Sequence, residues 1–381
     1  MDKGNYTGVL FLDFKKAFDI VNHAILISKL KMYRLDSLSL KWFTSYLSCR
    51  FQKVGLNNHL SSEKPIDLGV PQGSILGPLL FLLYINDLPL HLEHSTSDLY
   101  ADDTTLHYSS CSIQDICCKL NDDMIKFNVW CHDNDMFINT KKSCSMLVSS
   151  RRKLNTSDTT LKVLYDNNIL EEVTCEKLLG VKIDNSLSWQ QQIDNLCSVV
   201  SSRLGLLARL KLYVPYQGLC MFYNGYILPL FDYCCTVWGE TTAKNIEKVS
   251  KLQKRAARII LGTQCDTPSN LLFKRLGWLT FQNRITYHKG VLMYKCTNNL
   301  SPNYLSEKFR KCSELTSYSL RSAKTDKLFI PRPKTDFMKR TFQYSGAVLW
   351  NNIPQEIRYF KNIDTFKSKY FDYLFQQQNK I

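Results

Sequence analysis

The sequence predicts an α+β fold, with a sheet and its helices in the first half and a mostly helical second half. Three observations carry this expectation. Gly8-Val9-Leu10-Phe11-Leu12-Asp13 is a short continuous apolar run of the kind that forms a buried strand. Asp98-Leu99-Tyr100 and Thr104-Thr105-Leu106-His107-Tyr108 are rich in aromatic and β-branched residues, and they flank Ala101-Asp102-Asp103 like the arms of a β-hairpin. Beyond residue 188, apolar residues recur at helical spacing instead.

The first strand ends on Asp13, and strand ends are where α+β domains gather the polar groups of a site. Asp is also a common helix N-cap, and a helical pattern follows through Ile25, Leu26 and Leu30. Next, Gly69-Val70-Pro71-Gln72-Gly73-Ser74-Ile75-Leu76-Gly77-Pro78 crowds glycine and proline at the mouth of an apolar helix. Such a loop lets backbone approach a ligand closely. An ordinary loop before a core helix accounts for Leu76 to Ile85, but not for Gln72 and Ser74 between the glycines. In the hairpin, Asp102 and Asp103 repel each other. A solvated turn tolerates such a pair; a divalent cation gives it a purpose, because hard oxygen ligands suit Mg²⁺ and its charge cancels the repulsion.

Downstream, Ser188-Trp189-Gln190-Gln191 offers a capping box, with Ser188 as cap and Gln191 reaching back. Ile193, Leu196, Val200, Leu204, Leu207 and Leu210 then line one helix face. Another helix is expected from about Lys244 to Leu261, with Ile246, Val249, Leu252, Ala256 and Ile259 on its apolar stripe and Gly262 as its stop. Its other faces carry Lys244, Lys248, Lys251, Lys254, Arg255 and Arg258, a surface suited to a phosphate backbone. Residues 300–304 and 330–333 read as connectors, and 342–375 as a compact helical end piece.

The formal net charge of +15 points to a polyanionic partner, and its distribution says more than its size. Residues 1 to 110 hold 10 Lys+Arg against 11 Asp+Glu, whereas residues 241 to 330 hold 17 against 5. The excess is thus kept away from the acidic segment. Fourteen cysteines include no C-x-x-C spacing, and Cys117-Cys118 and Cys234-Cys235 are adjacent pairs that suit neither a tetrahedral zinc site nor an easy bridge. Cys144, Cys197 and Cys220 sit among apolar neighbours and read as reduced core residues. An intracellular, reducing compartment is expected, with no secretory segment and no apolar run near the ~20 residues that span a bilayer.

Taken in order, these pieces resemble a known family. Leu12-Asp13 with Ala17-Phe18-Asp19 and His23, then Gly69-Val70-Pro71-Gln72-Gly73-Ser74 with Leu76-Gly77-Pro78-Leu79, then Tyr100-Ala101-Asp102-Asp103, look like a reverse transcriptase. More narrowly, they resemble the polymerases of jockey-like retrotransposons without long terminal repeats. Ile138-Asn139-Thr140-Lys141-Lys142-Ser143 is similar to that family's lysine motif, and Leu178-Leu179-Gly180-Val181 with Leu187-Ser188-Trp189 to its primer-grip region. Leu252 to Gly262 and Leu349-Trp350-Asn351-Asn352-Ile353-Pro354 are similar to the tail of this group.

The resemblance implies a right-hand palm over 1–185, a thumb-like helical region over 186–262 and a C-terminal region over 263–381. It implies an RNA-directed DNA polymerase that extends a DNA primer on an RNA template with deoxynucleoside triphosphates, using two Mg²⁺ ions or Mn²⁺ in their place. Asp13, Asp102 and Asp103 match the three catalytic carboxylates, and the carbonyl of Phe14 would complete the metal shell. Phe18 matches the gate that excludes a ribose 2′-hydroxyl, and Gln72 and Gly73 match the loop that packs on the incoming nucleotide. Lys142 matches a lysine that protonates pyrophosphate; Lys141, or a merely solvated lysine, is the alternative at that position. Only Met1 to Thr7 precede the first catalytic strand, and no endonuclease or RNase H motif is found, so a fragment or decayed copy lacking its fingers is expected. A nucleic-acid-binding remnant without catalysis and an interaction protein that merely keeps the fold are the rival expectations.

Overall fold

The computed structural model describes residues 2–156, 159–315 and 327–380. They form two compact units, Gly4–Cys175 and Glu176–Ile381 together with Met1–Lys3.

The first unit is built on a five-stranded sheet in the order Glu171–Glu172, Cys144–Val148, Tyr6–Asp13, Asp103–Ser110, Thr96–Tyr100. The central strand Tyr6–Asp13 is antiparallel to both neighbours, and the parallel pairing is that of Glu171–Glu172 with Cys144–Ser145. Side chains alternate along it: Gly8, Leu10 and Leu12 are buried, while Val9, Phe11 and Asp13 belong to the other, more open face. The buried face meets helix Ile113–Asp133, which contributes Ile116, Leu120, Met124 and Phe127 to the core. Glycine at position 8 permits this approach, since a Cβ there would lie 2.5 Å from Ile116 Cγ2 and 2.7 Å from Leu120 Cδ1. Phe14 leaves the strand into the same core, its ring 6.0 Å from that of Phe127.

Helix His23–Met32 begins on Asn22, whose side chain accepts from the Ala24 and Ile25 amides at 2.9 and 3.3 Å. Asp13 therefore caps no helix and sits at a strand exit. Helix Leu76–Ile85 starts from Ser74, whose hydroxyl accepts from the Gly77 amide at 2.9 Å and donates to the Pro71 carbonyl at 2.7 Å. That bond pattern gives Ser74 a structural role in the glycine-rich loop.

In the second unit, strand Val181–Asp184 packs on helix Gln190–Leu210, and its hairpin partner Cys175–Leu178 begins at the division itself. The sequence boundary at 185 thus falls ten residues beyond the division at Cys175, because Val181 joins the core of Ile193, Leu196 and Val200. The expected capping box is replaced by a different start. Trp189 adopts φ 63, and the Ser188 hydroxyl accepts only a 3.3 Å bond from Gln190. Asp184 supplies the turn instead, accepting from the Ser186, Ser188 and Trp189 amides at 3.2, 3.0 and 2.8 Å and from the Ser186 hydroxyl at 2.7 Å. Its buried carboxylate, a stronger acceptor than a hydroxyl, takes the Ser188 amide that the Gln191 side chain would have bonded in a capping box.

Helix Ala243–Leu261 ends on Gly262 at φ 68. Its buried stripe runs through Asn245, Val249, Gln253, Ala256, Ala257 and Ile260, with Ile246, Leu252 and Ile259 only partly buried. The stripe is rotated from the apolar one expected because two of its members are polar: their side-chain amide nitrogens find acceptors, while Asn245 Oδ1 and Gln253 Oε1 are buried without a hydrogen-bond partner among the described residues. Asn245 donates to the Thr241 hydroxyl at 3.0 Å, and Gln253 to the Leu279 carbonyl at 2.9 Å. Helix Phe281–Thr297 packs on this helix and also on Phe342–Asn352 and Ile363–Asn379, so 186–262 and 263–381 share one compact unit. No helix among the described residues is long and apolar enough to cross a membrane. Burial pushes the Cys131 and Cys235 thiols up to about 12, which keeps them protonated in the core.

The Asp184 turn has a measurable consequence. Burial raises this carboxyl, but the bonds from Ser188, Ser186 and Trp189 outweigh it and hold the group below its ordinary value of 3.8. A depressed carboxyl contributes stability above its unfolded pKa that is lost as pH falls through the folded one. Asp184→Asn should therefore cost about 2–3 kcal/mol at neutral pH, and the deficit should shrink as pH falls below about 4. Urea denaturation at both pH values checks this; equal stability at neutral pH would rule out the role given to Asp184.

Candidate active site

The register of the sheet assembles the acids. Asp13 and Asp103 are directly opposed at the end of the central antiparallel pair, and Tyr100 opposes Asp103 across the hairpin. Ala101 and Asp102 form the two-residue turn between them, with Ala101 at φ 51. A non-glycine residue in the left-handed region is uncommon, and such strain gathers at functional sites. The turn thus sets Asp102 beside two carboxylates already paired by register.

Both backbone groups of Asp13 are tied to the loop that follows Ile138. The Asp13 amide donates to the Ser143 hydroxyl at 3.0 Å, and its carbonyl accepts from the Asn139 amide at 2.8 Å. Lys15 donates in turn to the Phe137 carbonyl at 2.7 Å, completing a bridge between Phe14 and Ile138. In an antiparallel bridge of this kind the central residues point their own amides and carbonyls away from each other. The Phe14 carbonyl is thereby directed away from Ile138, as a metal ligand there would need. The same loop carries Lys142, whose Nζ lies 3.8 Å from Asp13 Oδ2. That distance singles out Lys142 from Lys141 at this carboxylate, although Lys142 remains 70% exposed.

The glycine-rich loop docks on the segment just after Asp13. The Val70 amide donates to the Phe18 carbonyl and the Gly69 amide to the Val21 carbonyl, both at 2.8 Å. Gly69 has φ +86, and a Cβ on it would fall 2.7 Å from the Asp19 carbonyl oxygen, so only glycine fits. Gln72 Nε2 donates to Asp19 Oδ1 at 2.7 Å, and a His23 ring nitrogen lies 2.7 Å from the Gly69 carbonyl oxygen. Phe18 is partly buried, its ring 4.5 Å from that of Phe81. Gly73, at φ +80, has open space where a Cβ would be. Asp19, His23 and Ser143 thus hold the site residues in place. All three stand within the motifs, but the sequence carries no signal for these tasks, because each acts on a segment distant along the chain.

Electrostatically, burial pushes the Asp103 carboxyl up, and the neighbouring Asp102 and Asp13 carboxylates add to the shift. Among the described residues, no three His, Cys, Asp or Glu side chains are already drawn together as a finished metal cage. The donor set nevertheless fits a hard divalent cation: carboxylate oxygens, mutual repulsion to relieve, and an outward carbonyl.

In the second unit, the six basic residues of helix Ala243–Leu261 divide. Lys248 is paired with Asp194 at 2.8 Å and Lys251 with Glu247 at 3.0 Å, and Arg258 Nη2 points to the Thr267 carbonyl at 3.5 Å. Lys244 and Arg255 are exposed and Lys254 half-buried.

Residues 1–196 match the family model described as reverse transcriptase (RNA-dependent DNA polymerase). The chain belongs to the reverse transcriptase family. Within it, the chain is similar to the jockey-like polymerases of retrotransposons lacking long terminal repeats. The probable RNA-directed DNA polymerase from transposon X-element of Drosophila melanogaster is 27% identical over 298 residues, 76% of this chain and 32% of that protein. The probable RNA-directed DNA polymerase from transposon BS of the same organism is 27% identical over 297 residues, 75% and 32% of the two chains. The RNA-directed DNA polymerase from its mobile element jockey is 27% identical over 274 residues, 69% and 29%. The chain thus spans about a third of the length of these relatives. Reverse transcriptases generally use divalent metals.

The clustered charge predicts an unusual response to mutation. A raised carboxyl contributes stability that is present below its unfolded pKa and lost as pH rises through the folded one. Without divalent metal, Asp103→Asn should therefore raise the melting temperature at neutral pH, and the gain should vanish below about pH 4. Added Mg²⁺ should stabilise the parent more than the variant. A variant no more stable than the parent in metal-free buffer at pH 7 would show that the acids are not held against repulsion.

Proposed function

We propose that this chain carries the nucleotidyl-transfer centre of an RNA-directed DNA polymerase, extending a DNA primer on an RNA template with deoxynucleoside triphosphates during retrotransposition. The observation that supports it best is the opposition of Asp13 to Asp103 in the sheet register, with Asp102 in the adjoining turn. Asp13, Asp102, Asp103 and the Phe14 carbonyl would hold two Mg²⁺ ions, for which Mn²⁺ can substitute. When bound, such ions activate the attacking oxygen and neutralise charge on the leaving one.

The remaining roles follow from chemistry at each position. Phe18 stands one residue before Asp19, the anchor of the nucleotide loop, and its ring would close the space a ribose 2′-hydroxyl needs. Gln72 and Gly73 would pack on the incoming nucleotide and its template base, with an unhindered backbone at Gly73. Lys142, beside Asp13, would give a proton to the departing pyrophosphate, a role its exposed amine can fill from solvent. The basic residues Lys244, Lys248, Lys251, Lys254, Arg255 and Arg258 would hold the phosphate backbone of the primer–template. We assign the thumb and C-terminal roles to 186–262 and 263–381 on the same reading.

Metal-dependent primer extension tests the proposal. Asp102→Asn should reduce incorporation by several orders of magnitude, since a lost ligand disrupts positioning and charge neutralisation together, while the fold survives. Extension at the parental rate by the variant would overturn the assignment of the carboxylates.

Phe18→Val should admit ribonucleotides. The smaller side chain removes the clash with the 2′-hydroxyl and leaves the carboxylates untouched, so selectivity should fall more than rate. Competition between ribo- and deoxynucleotides measures this. Unchanged selectivity at full activity would make Phe18 merely the partner of Phe81 in the core.

A further inference from the structure

Helix Ser37–Leu47 has two faces of different character. Leu40, Phe43 and Leu47 join the core of the first unit. On the outer face, Leu38 is 76% and Trp42 53% exposed. The Trp42 indole lies parallel to the Tyr46 ring, with centroids 5.5 Å apart and planes 7° from coincidence. Phe43 meets the indole edge-on at 5.0 Å and so fixes its orientation. The Arg50 guanidinium then lies 5.6 Å over the Tyr46 ring. The result is a column of two aromatic planes and one cation at a spacing of four residues, with Trp42 exposed at one end, Tyr46 and Arg50 half-buried, and Tyr46 also packed against the core. Folding does not account for it, because an indole this exposed forgoes much of the ~1.5–3 kcal/mol that burying a large apolar side chain supplies.

Charge indicates what belongs there. Residues 31–64 hold six Lys+Arg against two Asp+Glu, while the rest of residues 1–110 holds four against nine. The column therefore stands on the basic part of an otherwise acidic segment. It is also wired to the nucleotide loop: the Arg50 carbonyl accepts from the Ile66 amide at 2.8 Å, Phe51 pairs with Pro65, and Leu68 bridges to Asn22 just before Gly69.

We infer that Trp42, Tyr46 and Arg50 form a stacking platform for the unpaired segment of the template RNA. Aromatic planes beside cations bind single strands without reading sequence, because every base has a π-face. A template strand demands that tolerance. A base-paired strand keeps its faces stacked and offers the column nothing, so the platform suits template not yet copied. Arg50 serves twice, stacking on Tyr46 and offering its donors to phosphate. The inference rests on the reverse-transcriptase reading, which supplies the strand.

The test is an anisotropy titration of the full chain bearing Asp102→Asn, without metal or nucleotide, so that no chemistry is required. The probe is an RNA template–DNA primer hybrid, either blunt or with a 5′ RNA overhang of about six nucleotides, the overhang carrying bases or abasic. The base-bearing overhang should tighten binding about tenfold relative to the blunt and abasic forms. Adding Trp42→Ala should abolish that gain while leaving blunt-hybrid affinity and its salt dependence unchanged, and Trp42→Phe should keep most of it. An equal gain from the abasic overhang, a gain that survives Trp42→Ala, or a loss of blunt-hybrid affinity in that variant would overturn the platform. So would indifference to the overhang, the result expected if a protein partner covers the column. Failure of the parent chain to bind any hybrid would instead sink the reverse-transcriptase reading itself.

Discussion

The register between Tyr6–Asp13 and Asp103–Ser110 is the constraint on which the candidate site depends. Side chains alternate faces along a strand, so a slip of one residue would send one of the opposed acids into the core and a leucine into the site. Several independent devices hold the register. Leu10 and Leu12 on one strand and Leu106 on the other need the same buried face. The two-residue turn at Ala101-Asp102 fixes the hairpin, and Cys144–Val148 pins the far edge of the central strand. Gly8 then lets helix Ile113–Asp133 lie close enough to seal that face. Position of the opposed acids is thus set by packing on the opposite side of the sheet.

What packing sets, charge opposes. Burial pushes the Asp103 carboxyl up, and the neighbouring Asp102 and Asp13 carboxylates add to it, so its charged form is disfavoured in the metal-free protein. Lys142 relieves little, because an exposed pair at 3.8 Å is strongly screened. The carboxylates are thus left largely uncompensated by side-chain charge. Local conflict of this kind, inside a sheet otherwise consistent at every level, is where function is expected to sit.

Elements whose signal is local were legible in the sequence. The apolar run ending at Asp13, the hairpin around Asp102 and the helices at 76–85 and 190–210 follow from periodicity and turn chemistry, and the structure has them. The misread features are those in which a polar residue takes an apolar residue's place. Asn245 and Gln253 rotate the buried stripe of helix 243–261 because their amides find partners in Thr241 and Leu279, which no count of apolar residues reveals. Asp184 organises the start of the next helix in place of the Ser188–Gln191 box because its carboxylate, placed earlier in the chain, takes the Ser188 and Trp189 amides just ahead of the first turn. The three acids were visible as residue types, but their opposition is a property of register. Asp19, His23 and Ser143 act across loops that only the fold closes.

The link from Asp19 to Gln72 ties parts of the site that the sequence presents as separate. Phe18 and Asp19 lie on the short turn after Asp13, and the loop rests on that turn through Val70, Gly69 and Gln72. A displacement of the loop must therefore move the Phe18 backbone, which accepts the Val70 amide, or break that bond. While that bond holds, Phe18 and the loop shift together, and Phe18 lies on the turn that follows the strand bearing Asp13. The 50–68 segment enters the same loop from the Trp42 ridge. A template base bound there and a nucleotide under Gln72 would be sensed through one continuous stretch of backbone. Placement of the glycine-rich loop and placement of the acids are in this sense one structural problem, since both depend on the end of a single strand.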